Sequence, residues 1–146
     1  MMGCARLFTL AIGLAAIAVS AEAAALDARA PFICSSNEVF ECGRVVGCER
    51  TAPDDIGAPA FLLVDIEKNE IRPLPQREAG PISTIDRMER IDNKLILQGA
   101  EDGREGVRDG LGWTLSVAED TGHMVLTASS EDAGFVIFGT CTALPK

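Results

Sequence analysis

The sequence predicts an all-β fold, a single small domain of about seven to eight antiparallel strands, arranged as a meander that closes as a barrel or folds as a sandwich and is stapled by disulfides. Short apolar segments alternate along the chain with stretches rich in Gly, Pro, Asp and Asn, a rhythm typical of antiparallel β-domains. Between residues 111 and 118, apolar side chains alternate with small or polar ones, as they do in a half-buried strand. We expect helix to be minor or absent.

The first 23 residues have the three regions of a secretory signal peptide. Arg6 precedes an apolar run over residues 7–19, and small residues follow it. The run is shorter than the stretch of about 20 apolar residues that a transmembrane helix needs. We therefore expect cleavage between residues 23 and 25, which leaves one β-domain, residues 24–146, in the periplasm or secreted.

Four of the five cysteines remain after cleavage, because Cys4 leaves with the signal peptide. An even number of cysteines in an exported domain predicts disulfides. The gaps of seven residues between Cys34 and Cys42 and of five between Cys42 and Cys48 match neither common zinc spacings nor a C-x-x-C redox motif. Four cysteines allow three connectivities. We favour Cys42 with Cys48, which bracket the segment GRVVG as a small hairpin loop, and Cys34 with Cys141, which would tie the first strand to the last.

Two hairpins are predicted in the middle of the chain. Segments 61–66 and 70–74 flank Lys68 and Asn69, which read as a tight loop, and Pro73 predicts that the second strand lies at an edge. A second turn is predicted at Asp92 and Asn93. Before it, residues 82–91 carry an apolar residue at almost every third position, which fits a short helix or a bulged strand. We favour the strand, since the segment runs directly into a turn and a further strand.

The C-terminal part of the chain has the clearest strand pattern. After the strand from Leu111, a turn ending at Gly122 leads to a return strand over residues 123–128, and the last strand covers residues 135–141. Trp113 is in phase with the apolar residues of its strand, so we expect it in the core.

Catalytic and metal-binding residue types occur here without the patterns that these chemistries need. The sole histidine, His123, stands beside a turn, where we expect it exposed, and no nucleophile motif surrounds any serine. Asp65 is the most notable carboxylate; it is in phase with Phe61 and Leu63, and we expect it near the solvent-facing end of its strand. We assign no catalytic, cofactor-binding or metal-binding residue, and we expect no cofactor.

The formal net charge of −9 survives cleavage, because the signal peptide carries one Arg and one Glu. An acidic chain lacks the basic surface that binds nucleic acid or anionic membranes, so we expect neither as a partner of the mature protein. A basic periplasmic protein fits this charge better.

The segment GWTLSVAEDTGHMVLTASSEDAGFVIFGTCTAL resembles the C-terminal half of a family of small exported β-proteins of proteobacteria. A Trp-containing strand, a Thr-Gly hairpin and a last strand ending in Gly-x-Cys recur there. The family is uncharacterised in function, so the resemblance implies a periplasmic setting and no catalytic residue.

The leading hypothesis is therefore an exported, non-enzymatic β-domain that binds a protein partner. One alternative is a lipocalin-like carrier of small molecules, which requires a deep apolar pocket. The other is an enzyme that uses two converging carboxylates with raised pKa.

Overall fold

Alternating side chains and tight turns organise the described part of the chain into ten strands in one antiparallel sheet. The computed structural model describes residues 26–75, 82–103 and 105–144, so the predicted signal peptide lies outside the described residues. The strands are β1 (Phe32–Gly43), β2 (Gly47–Thr51), β3 (Phe61–Asp65), β4 (Glu70–Leu74), β5 (Ser83–Thr84), β6 (Arg87–Ile91), β7 (Lys94–Glu101), β8 (Leu111–Ala118), β9 (His123–Ser129) and β10 (Ala133–Ala143). The described residues contain one short 3-10 helix, Pro53–Ile56, and no α-helix.

The sheet curls, because the strands at its two ends, β5 and β6, follow each other directly in the chain. Its strand order is β5-β4-β3-β1-β10-β9-β8-β7-β6, and β2 pairs separately with β1. Only Ile85 and Asp86 separate β5 from β6 at the opposite ends of this order. The amide of Ile85 donates to the carbonyl of Asn69 (2.8 Å), and the amide of Asp86 donates to the carbonyl of Gln98 (2.9 Å). The predicted all-β antiparallel fold is confirmed in a barrel-like form, with ten strands in the described residues instead of the expected seven to eight, and the segment 82–91 forms two short strands, β5 and β6, and no helix.

The predicted turns are present at the expected residues. Asn69, Asp92 and Asn93 have φ values of 55°, 50° and 58°, in the left-handed region that tight hairpin turns require. Gly122 has φ of 72° and lies between β8 and β9. The prediction that Pro73 places this strand at an edge is wrong for β4 as a whole, which lies between β3 and β5. Because β5 pairs only with Glu70 and Ile71, Pro73 itself has a strand partner only in β3 within the described residues, and its missing amide leaves no ladder bond unmade there.

Side chains fill the interior of the curled sheet. Trp113 is only 7% exposed, as predicted for a core residue, and pairs across the strands with Gly99. The largest fully buried side chains come from five strands and are Phe32, Leu95, Leu97, Leu115, Met124, Val39, Val64, Val117 and Cys34. The described interior is therefore a packed core.

The segment before β1 packs against the sheet through two apolar residues. Leu26 and Ala28 are 6% and 2% exposed. The amide of Leu26 donates to the carbonyl of Glu119 (2.8 Å), and the Arg90 guanidinium donates to the carbonyl of Ala28 (2.9 Å) and to the Glu119 carboxylate (3.1 Å). This N-terminal segment is thus held by both burial and hydrogen bonds.

A bulge divides β1 into two parts with different neighbours. The register between β1 and β10 shifts between Ser36 and Glu38, which leaves Asn37 without a partner residue in β10. The part before the bulge pairs with β3, and the part after it pairs with β2. The β1–β2 hairpin is therefore an extension of the sheet beyond the strands that form the curl.

The part of the chain that the structure describes has no helix long and apolar enough to cross a membrane.

Candidate functional site: a disulfide-closed hairpin tip

Both disulfides that we favoured from the sequence are present. Cys34 is bonded to Cys141 across a sequence separation of 107 residues, and Cys42 is bonded to Cys48 across six. Each bond joins residues directly opposite each other in neighbouring strands. The pairing also agrees with an oxidising compartment, where such bonds form and persist.

The tip of the β1–β2 hairpin exposes two adjacent valines. Val45 and Val46 are 93% and 82% exposed, the largest fractions among the exposed large apolar residues of the described chain. Gly47 has φ of 80°, and a Cβ atom on Gly43 would lie 2.8 Å from a methyl of Val46. The loop conformation therefore depends on both flanking glycines, while the Cys42–Cys48 bond closes its base.

An ion pair holds the remaining side chain of the tip to one side. Arg44 donates to the Asp132 carboxylate at 2.7 Å, and both side chains are exposed. Such a surface pair contributes about 0 to 1 kcal/mol to folding. It does, however, direct the charged group toward the loop between β9 and β10, and the two valines stay uncovered.

Two carboxylates face each other beside this tip. Glu41 in β1 and Glu49 in β2 are directly opposite in the ladder. Like charges at directly opposed positions destabilise a strand pair. Neither carboxylate has an ion pair with a Lys or Arg of the described residues. The hairpin thus carries one pair of adjacent carboxylates, Glu41 and Glu49, that has no cationic partner among the described residues.

The residues that the sequence singled out for possible catalysis lie far apart in the fold. His123 is exposed at the start of β9, as predicted, and its amide donates to the Thr121 hydroxyl (3.3 Å). Asp65 belongs to the β3–β4 hairpin. The structure brings neither of them to the hairpin tip.

The expectation that Asp65 faces solvent is wrong, since the residue is only 4% exposed. Its carboxylate accepts hydrogen bonds from the Lys68 amide (3.1 Å) and from the Lys68 ammonium (3.0 Å), and Arg72 lies 3.7 Å away. The side-chain hydrogen bond from Lys68 holds the pKa of Asp65 below its ordinary value of 3.8. A buried carboxylate that is kept ionised by a cation has a structural role in the hairpin.

Two cavities among the described residues are open depressions at the surface. One, of about 460 Å³, lies over β7, β8 and β9 between Gln98, Thr114 and Thr127, and the other, of about 540 Å³, lies beside Leu26 and Arg90. Neither lies within the packed core. No group of three His, Cys, Asp or Glu side chains that could hold a metal ion occurs in the described ranges.

Sequence reasoning missed the exposed valines, although a signal was present. The tip of a tight loop usually carries Gly, Asn, Asp, Ser or Pro. The segment GRVVG instead places two β-branched apolar residues at the centre of a loop bracketed by cysteines. The unusual composition of this loop is therefore the sequence signal of an apolar, exposed tip.

No family model, no curated protein and no solved structure matches this chain. The resemblance to small exported proteins of proteobacteria therefore stays a prediction.

Proposed function

We propose that this protein is an exported, non-enzymatic domain that binds a protein partner through the tip of its β1–β2 hairpin. The observation that carries the proposal is the exposure of Val45 and Val46 on a loop whose base is closed by a disulfide. Binding elements that are rigid before association lose less conformational entropy when they bind. Two uncovered valines on such a loop can bury their apolar surface in a pocket of another protein, which is favourable because that surface leaves water.

The partner in this proposal has a basic surface. The chain has a formal net charge of −9, and the opposed carboxylates of Glu41 and Glu49 form the residue pair next to Cys42 and Cys48 at the base of the tip. Complementary charges steer association and disfavour wrong partners. A cationic rim around an apolar pocket complements this hairpin.

We place this activity in the periplasm or outside the cell. The two disulfides support an oxidising compartment, and the predicted signal peptide of residues 1–23 supports export. The filled interior favours surface binding over a carrier that encloses its ligand.

The proposal is tested by capture from a periplasmic extract of the source organism, with mass spectrometry of the retained proteins. Wild-type protein is compared with Val45→Asp and with a matched control, Val107→Asp, which alters a half-exposed valine in another loop. We expect the wild type and the control to retain the same basic protein and Val45→Asp to lose it. Retention should fall as NaCl rises from about 50 to about 500 mM, because salt screens exposed charges. Equal retention by all three proteins, or no retained protein, would overturn the proposal.

A further inference from the structure

Strand β2 leaves one side of its backbone unpaired. It pairs with β1 alone, and none of its residues makes a backbone hydrogen bond to any other element of the described chain. Natural proteins usually cover such an edge or interrupt it with proline or a bulge. The five residues of β2 contain no proline, and all but Thr51 are exposed.

The ladder determines which backbone groups of β2 face outward. The Cα atoms of Cys42 and Cys48 are 4.0 Å apart, the close spacing of an antiparallel pair that does not exchange backbone hydrogen bonds. The amide and carbonyl of Cys48 therefore point away from β1. Because this orientation repeats every second residue, those of Arg50 point outward as well.

The charges on this edge select a kind of partner. Arg50 is neutralised by Glu38, with which it forms an ion pair. Glu49, at the centre of β2, has only the opposed carboxylate of Glu41 beside it in the ladder. Full antiparallel overlap of two β2 strands would place Glu49 opposite its counterpart, so the edge disfavours a second copy of this chain. It favours a strand with a cationic residue at the same position.

We infer that β2 accepts an extended strand of the partner protein, with a Lys or Arg opposite Glu49. The inference rests on the proposed function, since it names how the same partner binds to the same hairpin. The added strand would bond to the outward groups of Cys48 and Arg50, as in other cases of strand addition. Its cationic side chain would neutralise the pair formed by Glu41 and Glu49.

The test uses two synthetic peptides of about nine residues that alternate Thr and Val, one with Lys and one with Glu at the centre. Binding to the isotopically labelled, oxidised protein is followed by amide chemical shifts and hydrogen exchange. The Lys peptide should slow exchange of the Cys48 and Arg50 amides and bind about fivefold more tightly than the Glu peptide. In Glu49→Lys the preference should reverse.

A pair of substitutions at Arg50 separates backbone pairing from charge. Arg50→Pro removes the outward amide without removing a bond to β1 and should abolish peptide binding, whereas Arg50→Ala should retain it. Equal affinity for both peptides, binding by Arg50→Pro, or self-association through β2 in sedimentation would overturn strand addition. If neither peptide binds but capture of a periplasmic protein still requires Val45, strand addition is refuted and the proposed function is not. If no periplasmic protein is captured, the proposed function is refuted even if the peptides bind.

Discussion

At the scale of single residues, Gly99 and Trp113 show how a missing side chain allows a large one to be buried. The two residues are directly opposite in β7 and β8. A Cβ atom on Gly99 would overlap the indole of Trp113 and the backbone carbonyl of Thr84. Glycine is therefore required here by close approach rather than by backbone conformation.

Replacing Gly99 by Ala should destabilise the protein by about 1 to 3 kcal/mol, because the added methyl overpacks a core that includes rigid backbone. Gly112→Ala is the matched control, since a Cβ atom there meets nothing within 4 Å. Urea unfolding followed by Trp fluorescence measures both variants. A loss in Gly112→Ala as large as that in Gly99→Ala would contradict this explanation.

Lys68→Met should raise the pKa of Asp65, because it removes the side-chain hydrogen bond that lowers it. The folded-state pKa of Asp65 lies below the ordinary value, so the carboxylate adds stability above about pH 3.8, and this contribution is lost as pH falls through the lowered pKa. The measurement is an NMR titration of the carboxyl carbon.

Lys94→Met provides the reciprocal control for that titration. The side-chain hydrogen bond from Lys94 lowers the pKa of Asp92 in another hairpin. We expect each substitution to raise the pKa of its own aspartate and leave the other unchanged. An Asp65 titration that is identical in Lys68→Met and wild type would rule out the assigned cause.

Burial of Trp113 could be predicted from the sequence, and burial of Asp65 could not. Strand period alone places Trp113 on the core side. The same strand alternation places Asp65 on the face of β3 that points away from the core, together with Phe61, which is exposed. Asp65 is nevertheless covered, because it lies at a hairpin where Lys68 and Arg72 approach its carboxylate. Contacts of this kind depend on long side chains, whose positions strand alternation does not specify.

At the scale of elements, hairpins were predictable where the turn residues require a particular backbone conformation. Asn69 and Asp92 adopt positive φ, which few other residues tolerate. The β1–β2 hairpin was expected only as a loop closed by Cys42 and Cys48. Its free edge could not be predicted, because β2 contains no proline, the residue by which the sequence can mark an edge strand.

The two disulfides should differ in their rate of reduction in the native protein. Cys34 and Cys141 are buried, whereas Cys48 is exposed, and thiol attack requires access to a sulfur atom. Limited treatment with dithiothreitol, followed by alkylation and peptide mapping, should label Cys42 and Cys48 first. The same treatment in denaturant is the control, in which the difference should largely disappear. Simultaneous labelling of all four cysteines in the native protein would be the contrary result.

At the scale of the whole molecule, the N-terminal segment completes the packing of the sheet. Leu26→Ala should destabilise the protein by about 2 kcal/mol, because it removes buried apolar volume that the neighbours cannot fully replace. Arg29→Ala, on an exposed side chain of the same segment, should change stability little. Thermal unfolding of both variants checks the difference, and equal midpoints would show that the segment contributes no packing.

Closure of the sheet follows from a feature that the sequence indicated only ambiguously. Residues 82–91 fitted a helix or a bulged strand, because their apolar residues recur at intermediate spacing. In the structure this segment bends at Ile85 and Asp86, so that β5 pairs with β4 and β6 pairs with β7. A segment that contains two short strands with different neighbours and a bend between them has neither a pure strand period nor a helical one.

The bulge in β1 sorts the cysteines of that strand into different chemical environments. Cys34 and Cys42 are eight residues apart, an even separation that would put both on the same face of a regular strand. The extra residue, Asn37, inverts the alternation, so that Val39 faces the interior and Cys42 the outer surface. One inserted residue thus lets the same strand hold one half of a buried disulfide and one half of a disulfide within reach of solvent.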